Sequence, residues 1–449
     1  MKLHLVSLGC AKNQVDSENM LGRLREAGWN LTDDPEEAHT IVVNTCSFIE
    51  AAAQESLDTI LELAELKKTG VCRRLVVAGC LPERYREEIV QTMPEVDVFL
   101  GTGAFDLIVD AVGDAGPARA AILPDPDCAP DHDRNCPRVL ATPHMAYIKI
   151  AEGCSRDCTY CIIPRLRGRH RSRPLEDLAA EAQALIATGV KELILVAQDT
   201  TAYGRDLVPP RSLGRLVESL AGLSANRRDC PEKPWIRVLY GHPESIDDDF
   251  IRAVAAHPHV CSYFDLPIQH ASDRVLKRMG RRSTRERLRA LCRRVRGIVP
   301  DAVLRTTVIV GFPGETDKDF DELMRFAEEI RFDHLGAFVY SDAKDIPSHR
   351  LRGHVPKAVA QERYDQLMSA QVDIAAELNQ GRIDKIYPVL VEESLGNHLF
   401  AGRTYFQAPE VDGVTYVNTA ASGHELKIGC FTRVRVNDAM EYDLMGEVA

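Results

Sequence analysis

The chain has 449 residues, with 55 Lys and Arg against 67 Asp and Glu and a formal net charge of −12. That length exceeds one ordinary core and implies several domains. The acidic balance argues against a partner held mainly through phosphates and favours a basic one. Residues 1–113 read as alternating strands and helices, hence a parallel sheet with helices on its faces. The pattern predicts strands at 2–8, 40–45, 75–78 and 96–100, a helix at 13–27 closed by Gly28, and a second helix at 48–68. Cys10, Cys46 and Cys80 each fall just beyond the carboxyl end of a predicted strand. In an open parallel sheet those ends share one edge, where ligands bind. A single cysteine is usually just buried. Three at equivalent strand ends point to three thiolates on one iron–sulfur cluster. Cys72, at a helix–strand turn, reads as structural.

Residues 114–142 carry Pro117, Pro124, Pro126, Pro130 and Pro137 with several Asp, the composition of an extended surface linker. Cys128 and Cys136 lie in it and read as bystanders. From 143 to 380 the alternation resumes, with strands predicted at 146–150, 193–197, 236–240, 263–267, 304–310 and 335–340. Helices at 175–187, 285–296 and 315–330 lie between them. Six strand–helix units make a partial (β/α)6 barrel, whose site belongs at the carboxyl ends of the strands. The loop after the first of these strands holds Cys154, Cys158 and Cys161, separated by three and then two residues. Three thiolates at that spacing fit three corners of a 4Fe-4S cluster and leave one iron open to chemistry. The alternatives are a zinc loop or free buried thiols. Zinc prefers four ligands, and no His completes this set.

Residues 381–449 read as five or so short strands with Gly-containing turns, a small β-barrel of the size of oligonucleotide-binding folds. From Ile386 on, Arg403, Lys427, Arg433 and Arg435 stand against nine acidic residues, so the basic surface of an RNA binder is missing. The loop at 408–413, with Glu410 and Asp412, is expected to dock a basic protein. No run is long and apolar enough to span a bilayer and Met1 is not followed by a signal-peptide pattern, so a cytoplasmic location is expected. Thirteen cysteines in such a reducing compartment point to metal or redox chemistry rather than disulfides.

The motifs carry a resemblance that covers nearly the whole chain. Ser7-Leu8-Gly9-Cys10-Ala11-Lys12-Asn13-Gln14-Val15-Asp16-Ser17-Glu18 and Asn44-Thr45-Cys46-Ser47-Phe48-Ile49 resemble the methylthiotransferase amino-terminal domain. Gly153-Cys154 through Cys161, Ile163-Pro164 and Arg167-Gly168 resemble a radical S-adenosylmethionine (SAM) core, and the last barrel resembles a TRAM domain. Within that family, Ala11-Lys12-Asn13, Asp265 through Ser272, and Ala408 through Gly413 are similar to the RimO branch, which acts on ribosomal protein S-twelve. The tRNA-directed MiaB branch, acting on a modified adenosine, is the alternative. One departure is the stretch from Tyr340 to Pro347, where the family commonly has an acidic, Gly-containing loop.

The resemblance implies two 4Fe-4S clusters and SAM as cofactors. It assigns Cys154, Cys158 and Cys161 to the cluster that cleaves SAM to a 5′-deoxyadenosyl radical. It assigns Cys10, Cys46 and Cys80 to the cluster that presents sulfur. The implied product is a 3-methylthioaspartyl side chain, and an electron donor such as flavodoxin or ferredoxin is an implied partner. A radical suits this carbon because its C–H bond is too weakly acidic for a side-chain base. Tyr160 is a candidate adenine neighbour or a core residue. Gly311 and Gly314, in a Gly-rich turn that lets backbone approach a ligand, are candidate SAM contacts, and Gln198 with Asp199 are candidates to hold SAM or the substrate. Of Arg165, Arg167, Arg169, Arg171 and Arg173, most read as a solvated face and one or two as balance for anionic clusters. His242 and His270 read as structural or substrate-lining.

Overall fold

The computed structural model describes residues 1–113, 119–129, 137–223, 233–421, 423 and 425–449; Pro117, Pro130 and Cys136 lie outside the described residues. The amino-terminal sheet has the order β2-β1-β3-β4-β5-β6, where β1 is Lys2–Ser7, β2 Asn30–Leu31, β3 Thr40–Thr45, β4 Arg74–Gly79, β5 Val98–Leu100 and β6 Ala120–Ile122. Every pairing is parallel. The central strand β3, with sequence TIVVNT, is buried along its whole length. Its side chains alternate between two cores, as the period of two in a strand requires. Ile41 and Val43 pack with Ile60 of the helix Glu50–Thr69 on one face, and Val42 packs with Met20 and Leu24 of the helix Ala11–Glu26 on the other.

Part of the expected linker is not a linker. Ala120–Ile122 adds the sixth strand to the sheet, Val98 pairing with Ala120. The following turn, Pro126–Cys128, is capped by Asp125 and gripped by Arg171, which donates to the carbonyls of Ala129 (2.7 Å) and Pro126 (3.1 Å). The proline density hid a short apolar run whose pairing partner lies outside its own segment.

The middle of the chain has β7 (Met145–Lys149), β8 (Ala151–Glu152), β9 (Arg171–Ser172), β10 (Glu192–Val196), β11 (Trp235–Val238), β12 (Tyr263–Asp265), β13 (Val303–Val310) and β14 (His334–Val339). β7, β10 and β11 form one parallel ladder and β12, β13 and β14 another, bridged by Ile236 and Val260. Six strands therefore curve into the partial barrel. β8 and β9, which no sequence signal marked, pair antiparallel and close the loop that carries Cys154, Cys158 and Cys161.

The last five strands, β15 (Ile386–Gly396), β16 (Leu399–Arg403), β17 (Thr415–Asn418), β18 (Phe431–Ala439) and β19 (Leu444–Val448), close into a barrel in the order β15-β16-β17-β19-β18. It is packed onto the amino ends of the larger barrel's strands. Glu192, at the start of β10, receives Arg237 at 2.7 Å and Arg403 at 2.6 Å, all three essentially buried. Arg403 also holds Glu392, and the Phe431 ring lies 4.6 Å from the Trp235 ring.

This junction overturns the docking role expected of Asp412. Its side chain is 1% exposed. It accepts from the Tyr263 hydroxyl at 2.5 Å and the Ala408 N–H at 2.8 Å, and lies near Arg305 and His334. The loop was read as free because the surface that covers it comes from a distant part of the chain. Glu410 remains exposed.

The junction also titrates. Burial alone pushes the Glu392 carboxyl up, but hydrogen bonds from His144 and Arg403 outweigh it and bring it from 4.5 down to about 2. A carboxylate depressed in the folded state stabilises fully above its unfolded value and loses that contribution as pH falls through its folded value. The parent should therefore lose barrel-junction stability between pH 4.5 and about 2. Glu392→Gln should flatten that part of a stability profile measured by denaturant unfolding across a pH series. An unchanged slope would show that Glu392 is not the titrating group.

Candidate functional site

The register of the amino-terminal sheet gathers three cysteines. Ser7 pairs with Asn44 and Thr45 with Gly79, so Cys10, Cys46 and Cys80 emerge from β1, β3 and β4 along one edge. Their approach depends on glycine. Gly9 has φ +97°, and a Cβ there would stand 2.6 Å from the Cys46 Cβ and 3.1 Å from its Sγ. Gly79 has φ +98°, and a Cβ there would meet the Asn44 side chain at 2.5 Å. Two asparagines lock the edge. Asn13 donates to the carbonyls of Leu8 (3.0 Å) and Thr45 (2.8 Å), and Asn44 to the Asn13 carbonyl (2.9 Å) and Ser17 Oγ (2.8 Å). Ser47 Oγ donates to the Cys80 carbonyl at 2.9 Å.

The electrostatics differ from thiol to thiol. Burial pushes Cys80 up to about 12, and Arg167 only partly offsets it. Burial also raises Cys46. At Cys10 burial is outweighed by Lys12, Arg167 and backbone N–H groups, so its thiol titrates below its ordinary value. Cationic side chains thus surround this edge, as a buried set of thiolates requires.

The second set lies beyond β7. Cys154 N–H donates to the Gly168 carbonyl at 3.0 Å, and Ile163 N–H to Cys161 Sγ at 3.4 Å. Thr159 is pinned by the carbonyls of Met279 and Arg278, and Gly280 passes so close that a Cβ would stand 2.6 Å from the Asp157 carbonyl oxygen. Burial pushes Cys154 up to about 11 and Cys161 to about 12. Among the described residues no group of three or more His, Cys, Asp or Glu is spaced to hold a single metal ion.

The other residues singled out in the sequence fall as follows. Tyr160 packs against Val275, Met279 and Phe312, and its hydroxyl accepts from Arg281 at 2.8 and 3.1 Å. Gly311 faces Ala360, leaving no room for a Cβ, and Gly314 faces the Arg278 guanidinium and donates to the Gly353 carbonyl. The chain itself therefore already explains the glycine at both positions. Gln198 donates to Glu152 at 2.7 Å while its own carbonyl oxygen is buried without a partner. Asp199 receives Arg156 at 2.9 Å and caps the turn at Thr201. His270 is fully buried and accepts from the Ser272 N–H; His242 is pushed down to about 3 by burial, Arg281 and Arg156.

Of the five arginines, Arg169 is 85% exposed and Arg167 is buried. Arg167 binds Asp16 at 2.6 Å, the Asn13 side chain and, at 3.5 Å, Glu152. Lys149 binds the same two carboxylates, Asp16 and Glu152. This four-charge group joins the first helix, the first barrel strand and the stretch after Cys161. Asp16 was visible only as part of a motif, and Lys149 and Glu152 were missed, because their meaning lies in each other's positions. A second tether was also missed. Arg84 donates to Asp345 at 2.7 and 2.9 Å and to the Ser47 carbonyl. The divergent loop from Tyr340 to Pro347 thus holds the amino-terminal sheet.

The chain matches three family models in order: "Uncharacterized protein family UPF0004" over residues 2–101, the radical SAM superfamily over 148–327 and the TRAM domain over 383–449. It is 52% identical to the "Ribosomal protein uS12 methylthiotransferase RimO" of Desulfosudis oleivorans, over 100% of both chains. The chain belongs to the RimO family of radical SAM methylthiotransferases. Relatives of the same name from Clostridioides difficile and Geobacter sulfurreducens are 47% and 46% identical, over 100% of this chain and 99% and 98% of theirs. Among solved structures, the radical SAM methyltransferase TsrM from Kitasatospora setae shares the fold with a TM-score of 0.56 at 16% identity, covering 78% of this chain and 77% of that one. Membership makes this chain an enzyme and a transferase of the radical SAM class, with SAM and iron–sulfur chemistry. It favours the RimO branch over MiaB. Among the described residues no helix is long and apolar enough to cross a membrane.

Removing one member of a buried ion group strands its partners and costs about 3–5 kcal/mol. Arg167→Met should therefore lower the thermal midpoint and speed labelling of the thiols at the sheet edge by a thiol reagent. Arg167→Lys, which keeps charge but not the fork, should recover only part. A parent-like midpoint and labelling rate for Arg167→Met would contradict the role given to this group.

Proposed function

We propose that this chain inserts sulfur and a methyl group at the β-carbon of an aspartate of ribosomal protein uS12 (S-twelve above), giving 3-methylthioaspartate. The observation that carries the reading is two separate three-cysteine sets on one chain, joined by a buried charge network, in a member of the RimO family. Cys154, Cys158 and Cys161 suit one 4Fe-4S cluster, since three thiols close together leave one iron free for SAM. Cys10, Cys46 and Cys80 suit the other, and the cations Lys12 and Arg167 beside them offset the charge of buried thiolates. When bound, the two clusters and SAM supply hydrogen-atom abstraction, sulfur and the methyl group.

The chain's own residues do the rest. Gly9 and Gly79 let the strand ends close, and Asn13 and Asn44 hold them. Gln198, with a buried carbonyl oxygen left over, offers a polar contact to SAM, and Tyr160, Gly311 and Gly314 remain the other candidates. Six acids are exposed on the terminal barrel, at Glu393, Glu410, Glu425, Asp438, Glu441 and Glu447, against the bases Lys427, Arg433 and Arg435. That surface favours a basic protein partner. The reduction step calls for an electron donor such as flavodoxin or ferredoxin, and the cysteine content for the reducing cytoplasm.

Replacing Cys154, Cys158 and Cys161 together by Ala should leave about half the iron and abolish SAM cleavage, because each site takes its own thiolates. Replacing Cys10, Cys46 and Cys80 should also halve the iron but spare SAM cleavage, with no methylthio product. Mass spectrometry of uS12 after reaction with the parent should show one added methylthio group on an aspartate. Unmodified uS12, alongside a methylthiolated tRNA, would overturn the reading.

A further inference from the structure

Lys12 is one of the buried cations. It lies in the first turn beyond Cys10 and is 8% exposed. Its ammonium sits 3.4 Å from the centroid of the Tyr240 ring. Tyr240 follows β11 at the carboxyl edge of the barrel, in a left-handed conformation with φ +62°. One cation therefore touches both the cysteine edge of the amino-terminal sheet and the mouth of the barrel.

Several cations buried to a similar degree hold a carboxylate: Lys149 and Arg167 hold Asp16, Arg237 and Arg403 hold Glu192, and Arg363 holds Glu315. Among the described residues Lys12 has no carboxylate partner; it meets the Tyr240 side chain and lies beside the Cys10 thiol. The nearby acids are engaged elsewhere. On its own helix Asp16 is taken by Lys149 and Arg167. On the barrel side Asp265 receives the Tyr240 N–H at 2.9 Å and Arg305 at 2.9 Å. A desolvated ammonium against a π face is attracted to it and a Cys10 thiolate would add to that, but neither is the hydrogen-bonded carboxylate that Lys149 and Arg167 have.

We propose that Lys12 is the counter-ion for the carboxylate of the acidic side chain to be modified, and that it selects that residue over its uncharged amide. The inference rests on the aspartate reading above and adds the residue that recognises the aspartate. The chemistry fits the position. In an aspartate the β-carbon is bonded directly to the carboxylate carbon. A cation that fixes the carboxylate therefore fixes the reacting carbon beside Cys10 and the barrel mouth. Productive alignment of this kind is what positioning side chains provide. An asparagine leaves Lys12 without that carboxylate and is rejected, as sites built for a charged partner reject analogues lacking it.

The test uses the anaerobically reconstituted enzyme and two probes, purified uS12 and uS12 with the target aspartate changed to asparagine. Binding is measured by fluorescence anisotropy and turnover by mass spectrometry. Since a hydrogen-bonded charge pair is worth a factor of roughly ten or more, the parent should prefer the aspartate form by that factor. Lys12→Met should bind the two forms alike, and Lys12→Arg should keep part of the preference. Iron content is measured for every variant. If Lys12→Met does not load iron, Lys12→Gln makes the same comparison. A parent without preference, or an uncharged variant that retains it, overturns the proposal. A parent that neither binds nor modifies uS12 overturns the aspartate reading and this inference with it, whereas a parent that modifies uS12 beside a variant with parent-like selectivity sinks this inference alone.

Discussion

Asp16 and Glu152 meet across the junction of the amino-terminal sheet and the barrel, with Lys149 and Arg167 between them. Four charges out of water are expensive unless each is paired and hydrogen-bonded. Here each cation has both carboxylates, and Gln198 adds a further bond to Glu152. Burial pushes the Glu152 carboxyl up, but Lys149 and Arg167 outweigh that and hold it down at about 2. Such a group tolerates little displacement. A shift of one domain against the other would separate pairs that cannot be replaced by water. The relative placement of the two cysteine sets depends on it.

The network also explains where the remaining polar groups sit. Arg167 follows the second cysteine set by only a few residues and reaches back to Asn13, which locks the first set. One side chain thus couples the local geometry of both. Arg84 and Asp345 repeat the design on the far side of the sheet edge, tying it to the barrel rim. The terminal barrel is fixed at the opposite end by Glu192, Arg237 and Arg403, a stack that contacts neither cysteine set. This anchoring group sits at the strand starts, at the end of the barrel away from the loop with Cys154, Cys158 and Cys161.

Strand–helix alternation was legible because its periodicity is local. Every parallel strand of more than three residues was found within a few positions, and strand ends give the shared edge of Cys10, Cys46 and Cys80 directly. The short pieces were not legible. β2, β6, β8 and β9 have two or three residues each and owe their existence to partners far along the chain. Asp412 failed for the same reason, since its buried bond to Tyr263 spans 149 positions. Among the arginines after Cys161, charge alone could not separate buried Arg167 from exposed Arg169. Lys12 was visible as part of a motif, but its missing carboxylate and its place over Tyr240 exist only in three dimensions.

If both three-cysteine sets carry clusters, buried charge holds the two at a fixed separation. Low-temperature electron paramagnetic resonance of the reduced, anaerobically reconstituted chain tests it most directly. The account predicts signals from two 4Fe-4S clusters per chain, broadened by coupling to each other, with the coupling weakened in Asp16→Asn. A single cluster per chain, or two that relax independently in the parent, would contradict it.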